Sequence, residues 1–491
     1  MRRSAVLSVA ALAIAGLPLG GGASSAETHG AKAAESPLKV WAPTEVSADS
    51  YGGYVYSDLG IKLVAGSEPF EIWSHRPTYD DPIQSEWRSS AGTVALPEGT
   101  MTTFAGLDDF LRIRVRRASD GKFIQKVQLP ACLNGYGERA RPDAPATSPY
   151  PYDCPSNPYT VGSVMGVQAG FAATPVAYWE NPPLHLKPGT YDVSVSIPAS
   201  YRSLFGISGA DGRRDLTLTV ADGGGDAKRP AAPRQRSRGL QPAAHRPTGA
   251  KAGKAVGPMP DLRALPAFGI QLNGKGDVLR FGANVWNAGD SPLVVDGFRR
   301  DGEDEMDAYQ YFFDASGEQT GYQQVGTMHW HAANHNHWHF EDFAQYQLLD
   351  ADQSAVVKST KQSFCLASTD AVDYTVPDAD WHPYNTDLST ACGDHDALSV
   401  REVLASGNGD TYYQYRAGQA FRIGDLPNGI YYISVESNPL GNLVESDTTN
   451  NDSLRKIQLG GKAGKRWVKV FPVGIVTEGG CGLRTAAQRG C

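Results

Sequence analysis

Short runs in which apolar and polar residues alternate recur along most of this chain, and turn residues separate them. FLRIRVRRASDG (110–121) and TYDVSVSI (190–197) show the pattern in the first half, DVLRFGANVWNAGD (277–290) and GIYYISVES (429–437) in the second. A period of two turns successive side chains to opposite faces, which is the signature of a half-buried strand. The expected fold is therefore all-β, with two β-sandwich-like domains over residues 37–223 and 259–473. LKPGTYDVSVSI (186–197) and LPNGIYYISVES (426–437) echo one another: a Pro and Gly turn, a Tyr, then alternating apolar residues. The echo argues for shared architecture, with the turn reversing the chain and the Tyr opening a strand.

Composition shifts between the halves. Residues 226–258 are rich in Pro, Ala, Gly and basic side chains, with no acidic residue from Lys228 to Lys254. This segment is expected to be a disordered basic linker spanning on the order of 30 Å. It could also touch an extracellular protein or an anionic cell-wall polymer.

The first 26 residues begin with Arg2 and Arg3, continue in a short apolar run and close on Ser24, Ser25 and Ala26. They read as a secretory signal peptide, which implies a secreted, extracellular protein. No other segment is apolar for long enough to span a membrane. The net charge of −8 over 491 residues excludes nucleic acid as an expected partner. Six cysteines suit an oxidising compartment and are expected to pair locally in chain order, with the last bridge in a tail at 474–491.

Chemistry concentrates where five of the eleven histidines fall between His329 and His339. His335, His337 and His339 are spaced i, i+2, i+4, which on a strand puts them on one face at about 6.6–7 Å per step. Three neutral imidazoles so aligned suit copper or zinc, whereas as core residues they would pack poorly and repel one another when protonated. For His329 and His331, a ligand, a supporting or a surface role is open.

Around these histidines the sequence resembles the lysyl oxidase family, as a secreted bacterial member. The resemblance rests on Trp330-His331, HNHWH (335–339), FEDFAQYQLL (340–349), KQSFCL (361–366), GDTYYQY (409–415) and NPLGNLVESDTTNN (438–451), in that order, with PDL (260–262) upstream. It implies a copper-dependent amine oxidase in which His335, His337 and His339 hold copper. It also implies that Lys361 and Tyr412 cross-link into lysine tyrosylquinone, a carbonyl electron sink, with Tyr413 as the other candidate tyrosine. A primary amine, a peptidyl lysine or a small amine, would be taken by O₂ to an aldehyde with release of H₂O₂ and ammonia. The same resemblance implies calcium at Asp261, Glu445, Asp447, Asn450 and Asn451, whose oxygens suit that ion.

Some positions depart from the family. Residues 332–334 lack the cysteine of the animal enzymes, and Gln345 stands where they have a histidine, so no general base follows from the resemblance. The stretch between Cys365 and Tyr412 is longer, and its Asp370, Asp373, Asp378, Asp380 and Asp387 are expected in a solvated loop. The competing class is a non-catalytic extracellular copper- or zinc-binding protein in which Lys361 and Tyr412 stay unlinked.

Overall fold

The computed structural model describes residues 35–135, 137–175, 183–223, 245–331, 336–359, 361, 363–383, 390–416, 418–462 and 464–478. The expected signal peptide, most of the linker, and the Cys481 and Cys491 pair lie outside these residues. Among those described, secondary structure is almost entirely β, with one short helix, Ala199–Phe205, closed by Gly206 in the left-handed conformation at φ 67°. No helix among them is long and apolar enough to cross a membrane.

In the first half a seven-stranded sheet is built on the antiparallel strands Leu107–Arg117, Gly189–Ser196 and Arg213–Asp222, and two four-stranded sheets accompany it. Leu111, Ile113, Val115, Val193, Val195, Leu216 and Leu218 are buried and alternate with more exposed neighbours, as the period-two pattern requires. The second half holds a seven-, a six- and a five-stranded sheet around a separate core that includes Phe281, Trp338, Tyr346, Phe364 and Ile433. The sequence echo has a structural counterpart. The Tyr191 hydroxyl donates to the Lys187 carbonyl at 2.8 Å, and the Tyr431 hydroxyl donates to the Pro427 carbonyl at 2.9 Å. Each tyrosine ties its strand back to the turn that precedes it.

Residues 245–258, within the stretch expected to be linker, lie along strand Gln319–His331. Lys251–Ala252 pairs antiparallel with it, the Gln324 N–H donates to the Ala250 carbonyl, and Arg246 pairs with Asp307. Open backbone groups on that strand favour this addition over a solvated course.

The expectation of a solvated acidic loop after Cys365 holds for the exposed Asp378 and fails for Asp370 and Asp373, while Asp387 lies outside the described residues. Asp370 and Asp373 are buried, and this segment docks on the first half. The Val161 N–H donates to Val372, the Tyr374 N–H to Gly162, and the Thr160 hydroxyl to Ala371. Tyr150 and Val164 bury themselves against Ala371 and Tyr374, and the Trp73 and Trp381 rings meet at 5.7 Å. Apolar residues interleaved with the aspartates, Ala371, Val372, Tyr374 and Trp381, drive this burial, and charge counting overlooks them.

Candidate metal and cofactor site

Strands Gln319–His331 and His337–Glu341 form an antiparallel hairpin in which His329 faces His339, Trp330 faces Trp338 and His331 faces His337. Trp338 is fully buried, so His337 and His339 emerge together from the opposite face, with ring centroids 4.8 Å apart. Nδ1 of His339 lies 3.3 Å from the Ser363 hydroxyl, a contact that orients the ring. His329 instead lies 3.3 Å from Glu341 and is part-exposed.

One continuous strand through all three motif histidines is not what forms. The strand starts at His337, because Asn336 sits at φ 53°, where alternation breaks. His335 lies outside the described residues. Among the described residues, no three His, Cys, Asp or Glu side chains surround a common point. The donor chemistry still fits copper: two adjacent imidazoles, one held by a hydroxyl.

Strand Ser363–Phe364 pairs with Phe340 and Glu341 and leads directly from the histidines to Lys361. Lys361 is buried, with Nζ 4.1 Å from the Tyr412 ring centroid and 4.7 Å from that of Phe364. Its backbone N–H donates to the Ser359 hydroxyl, which donates in turn to the Gly418 carbonyl. Gly418, at φ 82°, is needed here, since a Cβ would come within 2.7 Å of Lys361 Cβ. Tyr412 stands on Asn408–Tyr412, opposite Ala283 on the six-stranded sheet, and its hydroxyl reaches the Cys365 carbonyl at 3.4 Å. Tyr413, the other candidate, packs against Phe268 and Tyr415.

Burial sets the protonation of this group. It lowers the Lys361 ammonium to about 8, with Asp410 acting the other way and Arg416 reinforcing the shift. Burial holds Asp410 well above the usual carboxylate range, opposed by the charge of Lys361. The Tyr412 phenol is pushed up by burial and by the charge of Asp410. Glu402, buried beneath the site, accepts the Leu366 N–H at 2.9 Å and is raised by burial as well.

Residues 317–468 match the family model described as lysyl oxidase. This region is a lysyl oxidase domain. The chain is 34% identical to human protein-lysine 6-oxidase over 124 residues, 25% of this chain and 26% of that protein. Against the pig protein-lysine 6-oxidase the identity is 33%, covering 25% of this chain and 43% of the relative. Against mouse lysyl oxidase homolog 4 it is 32%, covering 25% and 14%. The chain thus spans less than half the length of each of these relatives. The likeness to these relatives is confined to about 25% of this chain.

The oxygen-rich cluster expected from the sequence also gathers. Asn450 Nδ2 donates to Asp261 at 3.0 Å and to Asp447 at 3.3 Å, and the Leu262 N–H and Asn451 Nδ2 both donate to Glu445, at 2.8 Å each. Arg263 pairs with Asp261. The Oδ1 atoms of Asn450 and Asn451 are buried without hydrogen-bond partners, which fits a cation bound by oxygen ligands. Burial raises Glu445.

Reading the sequence did not find Asp410, Ser363, Glu402 or Gly418 as parts of the site. A signal existed for Asp410, which shares a strand face with Tyr412 at i, i+2. Glu402 and Gly418 reach the site only through tertiary packing. Cys132 is bonded to Cys154 and Cys365 to Cys392, two of the three expected local bridges, and the second holds the turn between Ser363–Phe364 and the strand at Ser399–Leu404.

Proposed function

We propose that this protein is a secreted, copper-dependent amine oxidase acting on primary amines, peptidyl lysine or small amines, through a cofactor made from Lys361 and Tyr412. The observation that carries this reading is the approach of the Lys361 amine to the Tyr412 ring at 4.1 Å, inside a domain that matches the lysyl oxidase family. His337 and His339, with His335 of the same motif, would hold copper. When formed, lysine tyrosylquinone supplies an electrophilic carbonyl and a two-electron sink for turning an amine and O₂ into an aldehyde, H₂O₂ and ammonia.

The chain's own residues have separate tasks. Burial keeps a large fraction of Lys361 neutral near pH 8, and only a neutral amine is a nucleophile. Phe364 walls the pair and excludes water. Asp410 can accept a proton from the Lys361 ammonium, and it is the carboxylate suited to take the proton from the carbon that bears the substrate amine. Asp261, Glu445, Asp447, Asn450 and Asn451 would hold calcium and tie the start of the domain to its last hairpin.

Tryptic mapping of protein produced with copper tests the reading. A cross-linked peptide carrying Lys361 and Tyr412, together with a phenylhydrazine adduct, is the expected result. Unmodified Lys361 and Tyr412 peptides in most copper-loaded molecules would favour a non-catalytic metalloprotein.

A further inference from the structure

Away from this site, the five-stranded sheet turns one face to solvent, and its last hairpin gathers charge there. Strand Lys465–Val470 alternates along its length: Arg466, Val468 and Val470 are part-buried, whereas Lys465, Trp467 and Lys469 are exposed. The register carries this outer face onto Asp452–Lys462, with Gln458 opposite Lys469, Gly460 opposite Trp467 and Lys462 opposite Lys465. Lys456 continues it. From Lys456 to Lys462 the strand runs about 20 Å.

Two features suit this face to an anionic partner. The first is uncompensated charge. Among the described residues none of Lys456, Lys462, Lys465 and Lys469 has an ion-pair partner, and Lys462 stands directly across from Lys465. Like charges in that position weaken a hairpin. Lys456 and Lys469 converge on one ring instead, with Nζ atoms 5.0 and 4.9 Å from the Phe471 centroid. The acidic residues of this face, Glu436 and Asp452, lie opposite each other at the far end of the sheet. A basic patch in a chain of net charge −8 is complementary to an anion.

The second feature is Trp467, which is 49% exposed. Its indole lies over Gly460, where a Cβ would come within 2.1 Å of a ring carbon. A glycine at that position lets the ring rest on the backbone and leaves its other face to solvent. Lysines on an edge strand also discourage strand pairing. That role accounts for Lys465 and Lys469 but not for an indole bedded on a glycine.

We propose that this hairpin face binds an acidic polysaccharide, with its carboxylate or sulfate groups at the lysines and a sugar ring against Trp467. Single-stranded nucleic acid is held by successive aromatic platforms in a basic groove, whereas this face offers one open indole. The inference is independent of amine oxidation.

The test uses the full-length protein with polygalacturonate and with heparin, read by Trp fluorescence and by retention on the immobilised polymers in about 0.15 M salt. Binding to at least one polymer is expected. It should weaken about tenfold in the double variant Lys465→Gln/Lys469→Gln and by a similar factor in Trp467→Ala, with the folded state, checked by circular dichroism, and bound copper retained. No binding of either polymer would overturn the proposal. So would equal binding of DNA of matched charge, or a Trp467→Ala variant that binds as tightly as the parent. Should a variant misfold, dextran and dextran sulfate offered to the parent protein replace it: the proposal requires retention by the sulfated chain and none by the neutral one.

Discussion

The Lys361 amine rests 4.1 Å from the centre of the Tyr412 ring, so a residue just before strand Ser363–Phe364 and one on strand Asn408–Tyr412 meet before any bond joins them. Folding alone therefore supplies the proximity that a cross-link between them requires. Lys361→Ala and Tyr412→Phe should each lower amine-dependent H₂O₂ release by roughly three orders of magnitude or more, because neither can form the electron sink. Bound copper, measured by metal analysis, should stay near that of the parent protein. Appreciable turnover in either variant would refute the cofactor assignment.

The pH at which the pair reacts follows from burial. Lys361 falls from 10.5 to about 8, so the folded state holds this proton more weakly than the unfolded chain does. Retaining the proton destabilises the fold, a cost fully present below about pH 8 that disappears as pH rises toward 10.5. Cross-link formation on adding copper to protein made without it should accelerate as pH rises through about 8. A rate that is flat from pH 6.5 to 9, followed by peptide mass, would contradict this.

Ser363 meets Nδ1 of His339, a proposed copper ligand, at 3.3 Å. Ser363→Ala should weaken copper affinity by about tenfold, since a ring that has lost its orienting contact must be ordered by the metal. Competition with a chromophoric chelator measures the effect. An unchanged affinity would mean that Ser363 does not orient the ligand.

The unpartnered Oδ1 atoms of Asn450 and Asn451 predict that calcium stabilises the fold. Millimolar calcium should raise the melting temperature by roughly 5 °C, and EDTA should reverse it. Glu445→Gln, which removes one charge from the cluster, should abolish the response. A melting temperature indifferent to calcium in the parent protein would remove the ion from this account.

Asp370 links the two halves. It accepts the Ser156 N–H at 3.4 Å and the Thr411 hydroxyl at 3.3 Å, next to Tyr412, and burial raises it from 3.8 to about 7. The folded state thus binds this proton more tightly, which gives stability that is complete below pH 3.8 and lost as pH rises through about 7. Asp370→Asn should raise the melting temperature at pH 8 by clearly more than at pH 5. Equal shifts at both values would show that the carboxyl's titration plays no part.

The sequence by itself determined the strands and the chemistry carried by local spacing. Val193, Val195, Leu216 and Leu218 are buried where alternation predicts, because side-chain direction on a strand is a property of the backbone alone. The pairing of His337 with His339 was legible for the same reason, and the ordered motifs around them pointed to Lys361 and Tyr412. What only the tertiary structure decided is which distant residues share a buried environment. The shift of Lys361, the approach of Asp410 and Glu402, the need for Gly418 and the burial of Asp370 all depend on strands far apart in the chain excluding water together. Desolvation and close approach belong to the assembled core, and no window of sequence contains them.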